Sequence, residues 1–169
     1  RTRMWEWVPA DAAPGAPQLV FRMQHAAHET PLWPHDCVCT LTVVLEPAGL
    51  RMTLAVHNTG SSALSFHAAL HTYLEVGDVT QTTLTGVLPQ GDVLSLAEPI
   101  DQLFESIPGR LALRSPASAL NLVHEGFTDA VVWNPGPQAV LADLPAGGYS
   151  RFLCVEAASV GVDRKSTRL

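Results

Sequence analysis

The chain has 169 residues, 47% of them apolar and 15% charged, which suits one soluble globular domain with enough chain to bury a core. Its formal charge of −6 excludes the basic stripe of a nucleic-acid surface, and no apolar run reaches the length of a membrane span. Three cysteines, an odd number, fit a reducing compartment such as the cytoplasm better than a disulfide framework.

In chain order, the opening "RTRMWEW" carries no initiator Met and no signal-peptide pattern, and the Ala/Pro-rich segment 9–17 reads as a surface loop. The dominant hydrophobic period thereafter is two, the signature of half-buried strands. Leu19–His25 is the first such run. In "DCVCTLTVVL", Cys37, Cys39, Leu41, Val43 and Leu45 share one face, as do Leu50, Met52, Leu54 and Val56 in "LRMTLAVH". The turn residues "EPAG" between them (46–49) predict a hairpin. Further strands are expected over Ala69–Val76, Thr82–Val87, Leu111–Arg114, Ala119–Val123, Ala130–Trp133 and Arg151–Ala157, punctuated by "NPGP" and "LPAGGY". No long, capped segment of period 3.6 interrupts them. Many short strands at regular spacing predict an all-β, antiparallel β-sandwich. The cysteines, lying in strand-like runs without ligand spacing, read as small buried hydrophobes rather than metal ligands.

Two strands carry more polarity than a core requires. In "SFHAALHTYLEVGD" (65–78), alternation puts His67, Ala69, His71, Tyr73 and Glu75 on one face and Leu70, Thr72, Leu74 and Val76 on the other. Imidazoles, a phenol and a small alanine on one face are how a polar ligand cleft on a sheet is built. In "RFLCVEAA", both faces are apolar apart from Glu156, so its carboxylate is expected inside. Such a group is either ion-paired, with Arg151 or Arg114 as candidate partners, or held at a raised pKa that suits proton transfer. A base and an acid across a cleft move a proton between two oxygens of a sugar with no metal or cofactor. No G-x-S-x-G elbow or Gly-rich phosphate loop offers a competing chemistry.

The segments "HETPLWPHD" (28–36), "AALHTYLEVGDV" (68–79), "PIDQLF" (99–104), "VVWNPGP" (131–137) and "DLPAGGYSRFLCVEAA" (143–158) resemble, in order and spacing, those of the glucose-6-phosphate 1-epimerases. These are the D-hexose-6-phosphate mutarotases, of the galactose-mutarotase-like fold, and the similarity covers residues 1–162. The resemblance implies a large β-sandwich that interconverts the α and β anomers of hexose 6-phosphates without a cofactor. It implies that Glu156 takes the proton of the anomeric hydroxyl while His71 protonates the ring oxygen. It matches Asp101 to a substrate-contacting aspartate, although Gln102 stands where the family's D-R-V-Y segment has arginine. It matches Arg1 to the arginine closing a His-Gly-Phe-Ala-Arg segment that holds the sugar phosphate, a task suited to a guanidinium fork.

The remaining conspicuous residues have structural readings. "WPHD" (33–36) fixes a loop, "WNPG" (133–136) ends a strand in a tight turn, His67 supports His71, and Asp129 lies in a loop at the cleft rim. The closing "DRKSTRL" (163–169) reads as a non-native tail. The family's upstream arginine and His-Gly residues are expected before Arg1, so the chain is read as an incomplete domain that folds poorly alone and has little activity. The expected partner is a hexose phosphate bound by a monomer, with no nucleic acid and no membrane. The alternatives are an epimerase of unphosphorylated aldoses and a sugar-binding sandwich without catalysis.

Overall fold

Only Pro47 and Ala48 separate the two longest strands, β3 (Cys37–Glu46) and β4 (Gly49–Asn58), which pair antiparallel from Glu46↔Gly49 to Cys37↔Asn58. This hairpin is the one the "EPAG" turn predicts. The computed structural model describes residues 3–9, 17–139, 142 and 144–160, with the backbone of 165–167. Among the described residues every regular element is a strand or a short 3₁₀ turn, and the paired strands are antiparallel. The all-β, antiparallel class is therefore as expected, and no helix is long and apolar enough to cross a membrane. The chain divides into two compact units, residues 1–65 with 166–169, and residues 66–165.

In the first unit, β1 (Glu6–Val8) and β2 (Gln18–His25) extend the hairpin into a four-stranded sheet in the order β1-β2-β3-β4. Register aligns Trp7, Phe21, Leu41 and Leu54 across it, with Leu19, Val43 and Met52 in the next row of the same face. The period-two pattern thus builds an apolar sheet face. The "WPHD" loop is tied down as expected. Asp36 accepts from the Ala27 amide at 2.8 Å. Trp33 stands edge-on to the rings of His25 and His35 and donates Nε1–H to the Ser65 carbonyl. His25 is buried, with Nδ1 on the His35 carbonyl at 2.8 Å and Nε2 paired with the Thr30 hydroxyl at 3.0 Å. β5 (Leu64–Phe66) has β15 (Lys165–Thr167) as its strand partner. The rest of the segment read as a tail, residues 163, 164, 168 and 169, lies outside the described residues.

The second unit holds two sheets. The larger comprises β10 (Ile100–Phe104), β13 (Asp129–Asn134), β14 (Phe152–Ser159), β6 (Ala68–Leu70) and β7 (Tyr73–Glu75); β6 and β7 pair in succession along one edge of β14. The smaller runs β12 (Ala119–Val123), β11 (Arg110–Arg114), β8 (Thr83–Thr85), β9 (Val93–Ser95). One core cluster joins them: Leu84, Leu111 and Leu113 from the smaller sheet with Phe104, Ala130, Val132, Leu153 and Val155 from the larger. Within this unit the sheets therefore pack as a sandwich, each fully buried Leu or Val contributing about 1.5–3 kcal/mol relative to exposure.

Three departures from the sequence reading have physical causes. The strand expected over Ala69–Val76 is broken at His71 and Thr72, because the Thr72 amide turns back onto the Leu70 carbonyl at 2.8 Å instead of joining a ladder. Strand β10 is not legible as a strand, since Asp101 and Gln102 interrupt its alternation. Asp129 is a buried residue opening β13, not a loop residue at a rim; its carboxylate accepts from the amides of Ser106 at 3.2 Å and Val160 at 3.0 Å.

The "WNPG" turn is held from inside. Asn134 is buried, donates Nδ2–H to the carbonyls of Tyr149 and Phe152 at 2.8 Å each, and accepts from the Gly136 amide at 3.0 Å. Gly136 has φ +72, and a Cβ there would run into the Pro99 ring, so the turn requires glycine. Replacing Asn134 by Ala strands these groups in the interior and is expected to cost about 2–4 kcal/mol. Urea unfolding measures this, with the exposed Asn121→Ala as a control expected to change stability by less than about 0.5 kcal/mol. Equal midpoints for the two variants would show that Asn134 is not a structural tie.

Candidate active site

Along β14 the side chains alternate. Leu153 and Val155 enter the core, while Phe152, Cys154, Glu156 and Ala158 face the other side of the sheet. Antiparallel partners at the same level share that face, which assembles two rows. One is Asp101, Trp133, Cys154 and Tyr73; the other includes Leu103, Val131 and Glu156. On the far edge, β6 ends at Leu70 opposite Ala157 and β7 resumes at Tyr73 opposite Cys154. The break leaves His71 level with Glu156.

The imidazole and the carboxylate meet there. His71 Nδ1 lies 3.4 Å from Glu156 Oε1, an ion-pair distance longer than a close hydrogen bond. The two are unequally exposed: the Glu156 side chain is 9% accessible and that of His71 46%. A carboxylate so far out of water needs a compensating partner, and one of its partners is a half-open imidazole that a ligand can reach. The two arginines considered as partners from the sequence are engaged elsewhere. Arg151 pairs with Glu75 at 3.2 Å, and Arg114 donates to the carbonyls of Leu113 and Leu120.

Aromatic rings wall the pair. Tyr73 stacks on His71 with ring centroids 5.1 Å apart and planes 9° apart. Trp133 meets His71 edge-on at 5.7 Å, and Phe152 packs against both Tyr73 and Trp133 at 5.0 and 5.7 Å. Asp101 is exposed on β10, directly paired with Trp133, so it stands on the same sheet face two strands from Glu156. His67 is exposed just before β6 and makes none of the ring or ion-pair contacts around His71, contrary to the supporting role expected of it. Arg1 lies outside the described residues. The sequence reading missed Trp133 as a site wall, because its place beside His71 depends on strand register, which alternation alone does not give.

The thiols are not part of the chemistry. Burial, with a further push from the Glu156 charge, raises Cys154 from 9.0 to about 12. Burial raises Cys39 to about 11, and Cys37 upward as well. Neutral thiols of this kind are poor nucleophiles. Each ionises in the unfolded chain near the ordinary 9.0 but is held neutral in the fold, so stability is unaffected below that value and falls as pH rises toward about 12 for Cys154. Alkylation of the native chain at about pH 8 is expected to leave Cys154 unmodified, and its urea midpoint is expected to decline above pH 9.0. Rapid modification of Cys154 in the folded state would contradict its burial.

The sequence matches the family model "Aldose 1-epimerase" over residues 1–168. A protein of Cenchrus ciliaris named "Putative glucose-6-phosphate 1-epimerase" is 28% identical over 160 residues, covering 82% of this chain and 49% of that protein. One of the same name from Escherichia coli (strain K12) is 25% identical over 171 residues, covering 89% of this chain and 55% of its own length. The chain thus spans about half the length of the curated relatives it matches. Among solved structures, a protein titled "putative mutarotase" from Salmonella typhimurium superposes with a TM-score of 0.82 at 20% identity, over 96% of this chain and 59% of that one. A "galactose mutarotase related enzyme" from Lactobacillus acidophilus does so with a TM-score of 0.72 at 10% identity, over 94% and 60%. With a family match running almost end to end and an all-β fold shared with these structures, the chain belongs to the aldose 1-epimerase family of isomerases.

Proposed function

We propose that the protein carrying this chain interconverts the α and β anomers of glucose 6-phosphate and related hexose 6-phosphates, with Glu156 as base and His71 as acid. The observation that carries this reading is the pair itself: a nearly buried carboxylate 3.4 Å from a half-exposed imidazole on one sheet face. In the forward step, the Glu156 carboxylate takes the proton of the anomeric hydroxyl. The C1–O5 bond breaks, its electron pair goes to O5, and protonated His71 delivers a proton there. The product is the open-chain aldehyde, with Glu156 protonated and His71 neutral. After rotation about C1–C2 the O5 hydroxyl attacks the other face of the aldehyde. His71 takes back the O5 proton, Glu156 returns one to O1, and both groups regain their starting states.

Among the described residues Nε2 of His71 has no hydrogen-bond partner, so the ring can offer that nitrogen to the ring oxygen while Nδ1 stays beside Glu156. Asp101, on the same face, is assigned to a sugar hydroxyl, as a carboxylate accepting from substrate O–H groups. Arg1 is assigned to the phosphate on sequence resemblance. Residues 1–162 are read as part of one larger mutarotase-like domain and 163–169 as a non-native tail; sequencing the source DNA outward from both ends tests this. An in-frame continuation on both sides, replacing "DRKSTRL" with native sequence, is the expected result.

The activity is read directly as magnetisation exchange between the α and β anomeric protons, using glucose 6-phosphate and glucose in parallel. Glu156→Gln and His71→Ala are each expected to lower kcat by about 10²–10⁴-fold. Turnover surviving in Glu156→Gln would remove Glu156 as the base. Glucose exchanged as fast as glucose 6-phosphate would move the reading to unphosphorylated aldoses.

A further inference from the structure

We propose that Tyr73 is a positioning residue for the acid–base pair: its ring fixes the plane of the His71 imidazole, while Glu156 selects which edge of that imidazole faces it. The inference rests on the reading of His71 and Glu156 given above and adds a residue to it. It starts from the backbone. Strand β6 ends at Leu70 and β7 begins at Tyr73, and between them the Thr72 amide bonds back to Leu70 at 2.8 Å. His71 therefore sits at a gap in the ladder, where inter-strand hydrogen bonds do not fix its peptide. Its side chain is 46% accessible, so close packing does not hold the ring either. What orients it is its neighbours.

Tyr73 is itself half-exposed, but unlike His71 it sits in the strand ladder and two further rings brace it. Its backbone is in register with Cys154 on the buried strand β14, and its ring rests against Phe152 at 5.0 Å and edge-on to Trp133 at 6.2 Å. Phe152 is 6% exposed. The imidazole lies over this braced phenol with the two planes 9° apart. A parallel stack restricts tilting of the imidazole, yet a half-turn of the ring about its bond to Cβ leaves the planes parallel. Stacking alone thus cannot choose between presenting Nδ1 and presenting Cδ2 to Glu156; the 3.4 Å ion-pair contact does that. The two contacts are complementary in time as well. When Glu156 is protonated during turnover the ionic attraction lapses, while the stack, with the edge-on contact of Trp133, persists until the ring recloses.

The test compares Tyr73→Leu and Tyr73→Phe with His71→Ala in the protein carrying this chain, by anomeric exchange. Tyr73→Leu is expected to lower kcat by about tenfold to a hundredfold, the size of a misplaced catalytic group, with KM changed less than about threefold. Tyr73→Phe keeps the ring and should restore kcat to within about threefold of the parent. An unchanged kcat in Tyr73→Leu, or a loss as large in Tyr73→Phe, would overturn the positioning role. Loss in His71→Ala alone would leave the acid–base reading standing while removing Tyr73, whereas full activity in His71→Ala would remove that reading. Should Tyr73→Leu fail to fold, the carbon-bound ring protons of His71 in the unsubstituted chain decide by NMR. Ring-current shielding from Tyr73 is expected; shifts equal to those of an exposed histidine would mean that the stack does not form in solution.

Discussion

Strand β14 is buried on both faces, and the arrangement around it follows from the one charge it carries there. Seven of its eight residues are apolar or small, and alternation commits Leu153 and Val155 to the core. The opposite face would be equally unremarkable without Glu156. A carboxylate in that position loses most of its water, and restoring even part of that solvation requires a polar or cationic partner at close range. The strand beyond β14 supplies one by breaking its own ladder at His71. Burial, with a further push from the same carboxylate, keeps the neighbouring Cys154 neutral, so no competing thiolate shares this part of the face.

The position of that pair is set by ties that lie outside it. Asn134 holds the Phe152 carbonyl and thereby the start of β14. Phe152 is in register with Glu75, and two residues further on Cys154 is in register with Tyr73. Tyr73 then carries the imidazole plane. A buried amide in the "WNPG" turn is in this way linked, through strand register and ring contacts, to a side chain that makes no hydrogen bond with it. Asp129 serves the other end of the sheet similarly, its carboxylate bridging the Ser106 and Val160 amides beside β10 and β14. Of the buried acids here, one serves as a structural tie and the other meets an imidazole on an accessible face. The distinction lies in what each one faces.

That distinction explains which parts of the molecule were legible in the sequence. Period-two alternation identified most strands, the hairpin at Pro47–Ala48, the face carrying His71, Tyr73 and Glu75, and the inward position of Glu156, because these depend on local periodicity. The break at His71 was illegible: Thr72 is a good strand residue, and only the bond back to Leu70 reveals the turn. Asp129 looked like an ordinary loop acid because its partners, Ser106 and Val160, are 23 and 31 residues away. Trp133 looked like the end of a strand, since its neighbours Asp101 and Cys154 become adjacent only through register. Local patterns report which face a side chain occupies; they do not report which residue from another strand lies beside it.

The placement of the proposed roles also separates chemistry from recognition. His71, Tyr73, Asp101, Trp133 and Glu156 all belong to residues 66–165 and to one sheet or its interrupted edge, so their mutual geometry is a property of a single packed unit. The phosphate contact assigned to Arg1 comes from the opposite end of the sequence. On the proposed reading, ring opening needs the anomeric oxygen and O5 to meet Glu156 and His71, and nothing in that step involves the phosphate. In general, a phosphate bound away from the reacting carbon contributes binding energy that is spent on bringing C1 to the acid–base pair. On the proposed reading, a phosphorylated and an unphosphorylated aldose differ in how the sugar is bound and not in the acid–base step itself.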